Sequence, residues 1–339
     1  MNWLMLLGVL VLASVAMGVT YQFIATARDR QTYPPPGKLI DVDGQHMHLY
    51  LMSNHHDKEP IIVLEAGATS CSFEWGWVQP EVAKFASVVA YDRAGLGWSD
   101  AHPQPRTARQ VAQQLHTLLH SVGLPSPYIL VGHSQGALFN LVYAHLYPDE
   151  VAGMVLVDPS HPDMFKRLPE SYVRQERRLT QLLCFLIPLL APLGIIRLTG
   201  LLNSIADGLP SQQKAQACAF YSSVAHLMAG RAELLSVEGI LAEANDVESL
   251  EYRPLLVLSA NKLTAFTDPS TNQDELKIMQ ELHASVAALS SQGTHRIVDG
   301  ADHLTLVTSQ QYAQTVTEAI RQVVEIVRQD SVAKNHQTS

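Results

Sequence analysis

The chain has 339 residues, 47% of them apolar and 16% charged, so it can bury a sizeable core, and an intrinsically disordered protein is excluded. Lys and Arg number 23 against 32 Asp and Glu, a net charge of −9 with no local basic patch to offset it, which excludes a protein built to grip a nucleic-acid backbone. Cys71, Cys184 and Cys218 stand too far apart to outline a disulfide framework or a zinc cluster. The fifteen histidines are mostly isolated, and His55-His56 falls in a polar loop; they read as scattered surface or satisfied core residues and not as metal ligands.

No charged side chain occurs from Asn2 to Ala27. Within it Trp3–Ile24 would form a helix about 33 Å long, enough for a hydrocarbon core about 30 Å thick. A cleaved signal peptide has a shorter apolar part behind a basic start, which this chain lacks, although Ala25-Thr26-Ala27 has the small residues of a cleavage site. Residues 1–27 therefore read as a single transmembrane anchor. Arg28, Arg30 and Lys38 follow it and, by the positive-inside tendency, hold the next domain on the cytoplasmic side. Residues 28–37, with Pro34-Pro35-Pro36, read as a short, stiff linker.

Beyond the linker, Lys38–Ile40 and His46–Met52 flank Asp43-Gly44 and read as a β-hairpin. Short apolar runs at Ile61–Leu64, Ser87–Tyr91, Tyr128–Val131, Met154–Val157, Leu255–Leu258 and Arg296–Val298 read as strands buried on both faces, the mark of a parallel sheet covered by helices. Helical patterns lie at Arg109–Val122, at Ala137–Tyr147 up to Pro148, and at Tyr312–Val327, and residues 329–339 read as a frayed tail. An α/β domain over 38–328 follows. The segment between Met154–Val157 and Leu255–Leu258 is far longer than a simple crossover needs, so about 160–250 reads as an inserted helical cap. In it Leu179–Ile196 carries no charge, and Pro188 and Pro192 are expected to break it into cap helices and so to prevent a second span. Its apolar faces are expected to pack as cap core; the functional alternative is that they line a pocket for a greasy substrate or touch the bilayer.

The chemistry concentrates where the strand Tyr128–Val131 runs into Gly132-His133-Ser134-Gln135-Gly136 and a helix begins at once. A serine at such a corner needs small neighbours if its hydroxyl is to stand above the sheet edge. The helix start also offers unpaired backbone N–H groups where an oxyanion would form, that of Gln135 first among them.

With this elbow, Val63-Leu64-Glu65-Ala66-Gly67-Ala68 and Tyr91-Asp92-Arg93-Ala94-Gly95-Leu96-Gly97-Trp98-Ser99-Asp100, the chain resembles the α/β-hydrolase fold family over about residues 38–328. The resemblance implies that Ser134 is the nucleophile, that Ala68 supplies a second oxyanion N–H beside Gln135, and that no cofactor or metal is required. It also places the general base at His303, in the loop Asp299–Leu304 after the last strand. Glu65-Ala66 departs from the family's usual residue and His at that loop. Asp92 and Arg93 read as loop braces, and His133 as packing or support for the oxyanion loop.

The acid that orients His303 is less plainly marked. After Leu255–Leu258 the chain reads Ser259-Ala260-Asn261-Lys262-Leu263, with no carboxylate at the family's usual place. Asp158 ends the strand next to that of Ser134 and is the preferred acid, ahead of Asp268 and then Asp302, since the acid must reach His303 Nδ1; its structural alternative is a helix cap before Pro159. The expectation is a membrane-anchored serine hydrolase of ester-type, lipid-like substrates, partnered with the membrane and not with nucleic acid. The alternative is a non-catalytic ligand-binding or scaffold protein of the same fold.

Overall fold

The computed structural model describes residues 3–53, 60–101, 106–262 and 272–337. Helix α1 (Trp3–Thr32) precedes a hairpin of β1 (Lys38–Val42) and β2 (Gln45–Met52). Asp43 and Gly44 both take positive φ at its tip, the twist a two-residue hairpin turn requires. There follow β3 (Ile61–Glu65), α2 (Val78–Val82), β4 (Val88–Tyr91), α3 (Ala108–Ser121), β5 (Tyr128–His133), α4 (Gln135–Leu146) and β6 (Val151–Val157). The cap contributes α5 (Met164–Arg167), α6 (Glu170–Leu190), α7 (Ile195–Thr199), α8 (Ser211–Phe220), α9 (Val224–Leu235) and α10 (Val237–Asn245). The chain closes with β7 (Leu255–Ala260), α11 (Asn272–Ala287), β8 (Gly293–Val298), α12 (Thr305–Thr308) and α13 (Gln310–Gln337).

The described strands form one eight-stranded sheet in the order β1-β2-β4-β3-β5-β6-β7-β8, parallel from β4 onward and antiparallel at β1 and β2. Alternate residues of the central strands feed two cores. Val63, Leu130, Leu156 and Val257 pack with α3, α4 and α10, while Ile62, Val131, Val155 and Leu256 pack with α2 and α13. After β3 the chain moves outward to β4 and then returns to β5 on the other side of β3. Such a reversal opens a crevice at the carboxyl ends of the two strands, where ligands of open α/β sheets bind.

Four expectations need correction. Strand β8 is an edge strand and largely exposed, because it pairs with β7 on one side only. Helix α13 continues through Gln337, well into the segment read as a frayed tail. Pro188 does not break α6: it lies in the last turn, and the Cys184 carbonyl it leaves without an intrahelical donor accepts instead from Arg231 Nε at 2.7 Å. The chain turns only after Leu190, reaching α7 through Gly194 at positive φ. Finally, the helix does not end at residue 27, where the linker is expected to begin, and the start of the linker is tied to the domain. Helix α1 runs on to Thr32, Gln22 Nε2 donates to the Ser222 carbonyl (2.7 Å), Arg197 Nη1 donates to Asp29 (2.6 Å), and Trp98 Nε1 donates to the Tyr33 carbonyl (2.9 Å).

Candidate active site

Ser134 stands between β5 and α4 with φ +53°, a left-handed backbone that a non-glycine residue adopts only when its surroundings enforce it. Those surroundings are backbone. Ser134 N–H donates to the Val157 carbonyl, and the Ser134 carbonyl accepts from Ser160 N–H. The flanking glycines serve close packing, with no positive φ at either. A Cβ on Gly136 would come within 2.6 Å of the Ala66 carbonyl oxygen, and one on Gly132 within 2.8 Å of Ala137 N. The start of α4 is thereby pressed against the end of β3. Gln135 opens α4 and Ala68 lies three residues beyond β3, and Gln135 N–H lies in the first helical turn, where no intrahelical acceptor exists.

His303 projects from the loop between β8 and α12. Its Nε2 accepts from Ser134 Oγ–H at 3.0 Å, and its Nδ1–H donates to Asp158 Oδ2 at 2.6 Å. Asp158 directly follows β6 with φ +44°, and its other oxygen accepts from Ala260 N–H at 2.8 Å. Burial by itself raises a carboxyl pKa, but the hydrogen bond and charge of His303 outweigh it and hold Asp158 below the usual carboxylate range. Asp302 is turned away from this chain of bonds, its carboxylate accepting from Leu304 and Thr305 N–H in the turn that leads into α12. Asp268 lies outside the described residues. Asn261, where the family's acid usually stands, ties two loops by donating to Asp299 and accepting from Gly300 N–H.

Behind these groups lies a polar frame that single-sequence reading catches only in outline. His133 is buried, donating from Nδ1 to Glu74 (2.6 Å) and from Nε2 to the His303 carbonyl (3.0 Å). Both partners are acceptors, so the ring carries both protons. Burial opposes that charge, but the Glu74 carboxylate prevails and raises the His133 pKa. Glu74 also accepts from Gly67 N–H, so one ion pair braces both the His303 loop and the loop of Ala68. Arg93 spans further: it donates to Glu65 (2.6 Å), to the carbonyls of Ala66 and Gly67, and to Glu233 of α9 (2.8 Å). The Glu65 departure is absorbed here, since its second oxygen accepts from Tyr91 Oη–H.

Two cavities meet at Ser134 and His303. One, of about 270 Å³, is lined by Ala68, Phe73, Ile205, Leu209 and Val307; the other, of about 290 Å³, by Asp158, Phe165, Tyr172, Glu176 and Lys262. His116 and His120, at i and i+4 of α3, approach Glu150 closely enough for the three to hold an ion, a spacing overlooked among the scattered histidines. Glu150 already accepts from His120 (2.8 Å) and Tyr143 (2.6 Å), and it lies at the opposite end of β6 from Asp158.

Two buried histidines are expected to lower stability in acid. His226 Nδ1 accepts from Gly97 N–H while its Nε2 donates to the Thr69 carbonyl, and His283 donates to the Pro159 carbonyl while its Nδ1 meets Ser259 Oγ. Burial lowers each pKa from 6.5 to about 4. Between those values the unfolded chain binds protons that the folded chain refuses, so each group is expected to remove up to about 3 kcal/mol as pH falls from 6.5 to 4. His133, with its raised pKa, and Glu65, which burial raises to about 7, act in the opposite sense, while His161 and His295, lowered by burial, add to the decline. Urea midpoints measured from pH 7 to pH 4.5 should decline; a flat profile contradicts the assignment.

The sheet order, the inserted cap and the strand–turn–helix corner are those of an α/β-hydrolase-fold protein. Residues 59–186 match the family model described as alpha/beta hydrolase fold. An AB hydrolase superfamily protein of Gibberella zeae is 34% identical over 115 residues, 33% of this chain and 36% of that protein. An uncharacterized vacuolar membrane protein of Saccharomyces cerevisiae is 30% identical over 126 residues, 36% of this chain and 19% of that protein. The chain spans between about a fifth and a half of the length of the first curated relatives it matches. Among solved structures, a thermophilic esterase from Thermogutta terrifontis superposes with a TM-score of 0.57 at 20% identity, covering 85% of this chain and 97% of that one, a likeness of fold.

Proposed function

We propose that the chain is a membrane-anchored serine hydrolase that cleaves an ester-type carbonyl. The observation that carries this is the continuous contact of Ser134 Oγ, His303 and Asp158 at 3.0 and 2.6 Å. In the proposed reaction the Ser134 oxygen bonds to the carbonyl carbon as its proton passes to His303 Nε2, and Asp158 stabilises the imidazolium. The N–H groups of Ala68 and Gln135 hold the oxyanion. His303 then protonates the departing alcohol, and a water deprotonated by the same nitrogen releases the acid and frees Ser134. The steps use side chains, backbone and one water. Relatives that open epoxides or carbon–halogen bonds attack with a carboxylate, which a serine at the elbow does not offer. The cavities on either side of Ser134 suit the two halves of an ester.

Anchoring is supported by α1, long and apolar enough to cross a membrane, and by the vacuolar membrane designation of the yeast relative. Arg28 and Arg30, which follow the apolar stretch, favour a cytoplasmic-facing domain. A fluorophosphonate probe tests the reading. The wild-type chain should be labelled, and Ser134→Ala should abolish labelling and lower ester turnover about 10⁴- to 10⁶-fold with an unchanged circular dichroism spectrum. Folded wild-type protein that neither labels nor turns over any ester would instead point to the ligand-binding alternative.

A further inference from the structure

The uncharged stretch Leu179–Ile196, expected to pack as cap core, turns much of itself outward. Leu182, Phe185 and Leu189 of α6 are 52, 66 and 52% exposed, and Leu198 and Leu201 beside them are 66 and 61% exposed. This face adjoins α1. The Gly18 position is so close to Leu193 that a Cβ there would meet its carbonyl at 2.6 Å, Gly194 abuts the ring of Tyr21, and Arg197 is drawn inward to Gln22 and Asp29.

The level at which they meet is decisive. Helix α1 carries no charge before Arg28, so from Gly18 to Ala27 about 15 Å of uncharged helix runs alongside the cap. On its outer side Phe23 is 75% and Ile24 59% exposed, as suits lipid and not water. A cap fixed to that part of α1 lies at the same depth. The charges agree: Arg174, Arg177 and Arg178 occupy the exposed first half of α6, and the next charge in the chain is the inward-turned Arg197. The helix thus changes from charged to apolar along its length, as one dipping through a headgroup layer would. An apolar face of this extent, continuous with a membrane helix, has the bilayer as its natural cover.

We propose that the second half of α6, with α7, is immersed in the leaflet that receives the end of α1, and that the site is fed from the membrane. The segment from Leu198 to Leu209 connects the two places: Leu198 and Leu201 lie on the outer face, and Ile205 and Leu209 line the cavity beside Ser134. The substrate class is therefore a bilayer-borne ester. This rests on α1 crossing a membrane, and the test separates the two ideas.

The full chain in phosphatidylcholine–phosphatidylglycerol vesicles would carry a photoreactive benzoylphenylalanine in place of Leu10, Phe185 or, as a control before β7, Tyr252. Lipid adducts are expected from positions 10 and 185 and not from 252. Adducts from 10 with none from 185, or cross-links from 185 to another protein chain, overturn the immersion and leave the anchor standing; no adduct from 10 overturns the anchor and the immersion with it. In the same vesicles, Leu182→Asp combined with Phe185→Asp should lower hydrolysis of a long-chain membrane-borne ester about tenfold, with turnover of a short water-soluble ester unchanged. Equal rates for the variant and wild type on the membrane-borne ester also overturn it.

Discussion

Asp158→Asn is expected to lower ester turnover by about 10⁴-fold while leaving the chain folded, the scale seen when the acid of a Ser-His-Asp triad becomes an amide. The size follows from the geometry. Asp158 Oδ1 is occupied by Ala260 N–H, so only Oδ2 faces His303, and that bond holds the proton on Nδ1 with Nε2 open toward Ser134. An amide can keep one of these contacts as an acceptor, but an NH₂ turned toward His303 demands a lone pair on Nδ1. The proton then moves to Nε2, and the base can no longer receive one from Ser134. Steady-state kinetics with a short aryl ester checks this. Wild-type turnover in Asp158→Asn, or its collapse in Asp268→Asn instead, would remove Asp158 from the role.

Arg93→Met should destabilise the fold by about 3–5 kcal/mol, the cost of removing one partner from a buried ion pair. Arg93 is almost wholly buried between Glu65 and Glu233, with Arg106 completing a cluster of two cations and two carboxylates. Without the guanidinium, Glu65 keeps the Tyr91 hydroxyl but loses its cation. Burial raises its pKa from 4.5 to about 7 against the opposing pull of Arg93 first and the Tyr91 hydroxyl after it, so without Arg93 the Glu65 carboxyl should hold its proton to higher pH in the variant. The carbonyls of Ala66 and Gly67 lose their donor as well, which loosens the loop carrying Ala68, and Glu233 loses its bidentate tie between α9 and the sheet. Urea unfolding of the two proteins measures the difference. A change below about 1 kcal/mol would mean that the cluster adds little beyond what an apolar side chain supplies.

The parts legible before folding are those whose signals are local. The apolar runs of β3 to β7 mark a covered parallel sheet, the Asp43-Gly44 pair marks a hairpin, and glycines two residues either side of Ser134 mark a tight corner, because each depends on residues within a few positions of one another. Even there the reason for the glycines differs from the expected one: Gly136 leaves room for the carbonyls of Glu65 and Ala66, which are distant in sequence. Local patterns also mislead where a distant group intervenes. Pro188 reads as a break until Arg231 supplies the hydrogen bond it forgoes, and Leu179–Ile196 reads as core until the fold leaves its face outward.

The sequence by itself determined the class of fold, the corner that presents Ser134, the uncharged N-terminal helix and the short set of residues from which a base and an acid could be drawn. Only the tertiary structure decided which of these touch. Asp158 meets His303 across 145 positions because β6 and β8 end on the same side of one sheet, and Glu233 reaches Arg93 across 140 because the cap folds back over it. Hydrogen bonds act over about 3 Å, whereas the periodicities that reveal helices and strands carry no information about which distant segments become neighbours.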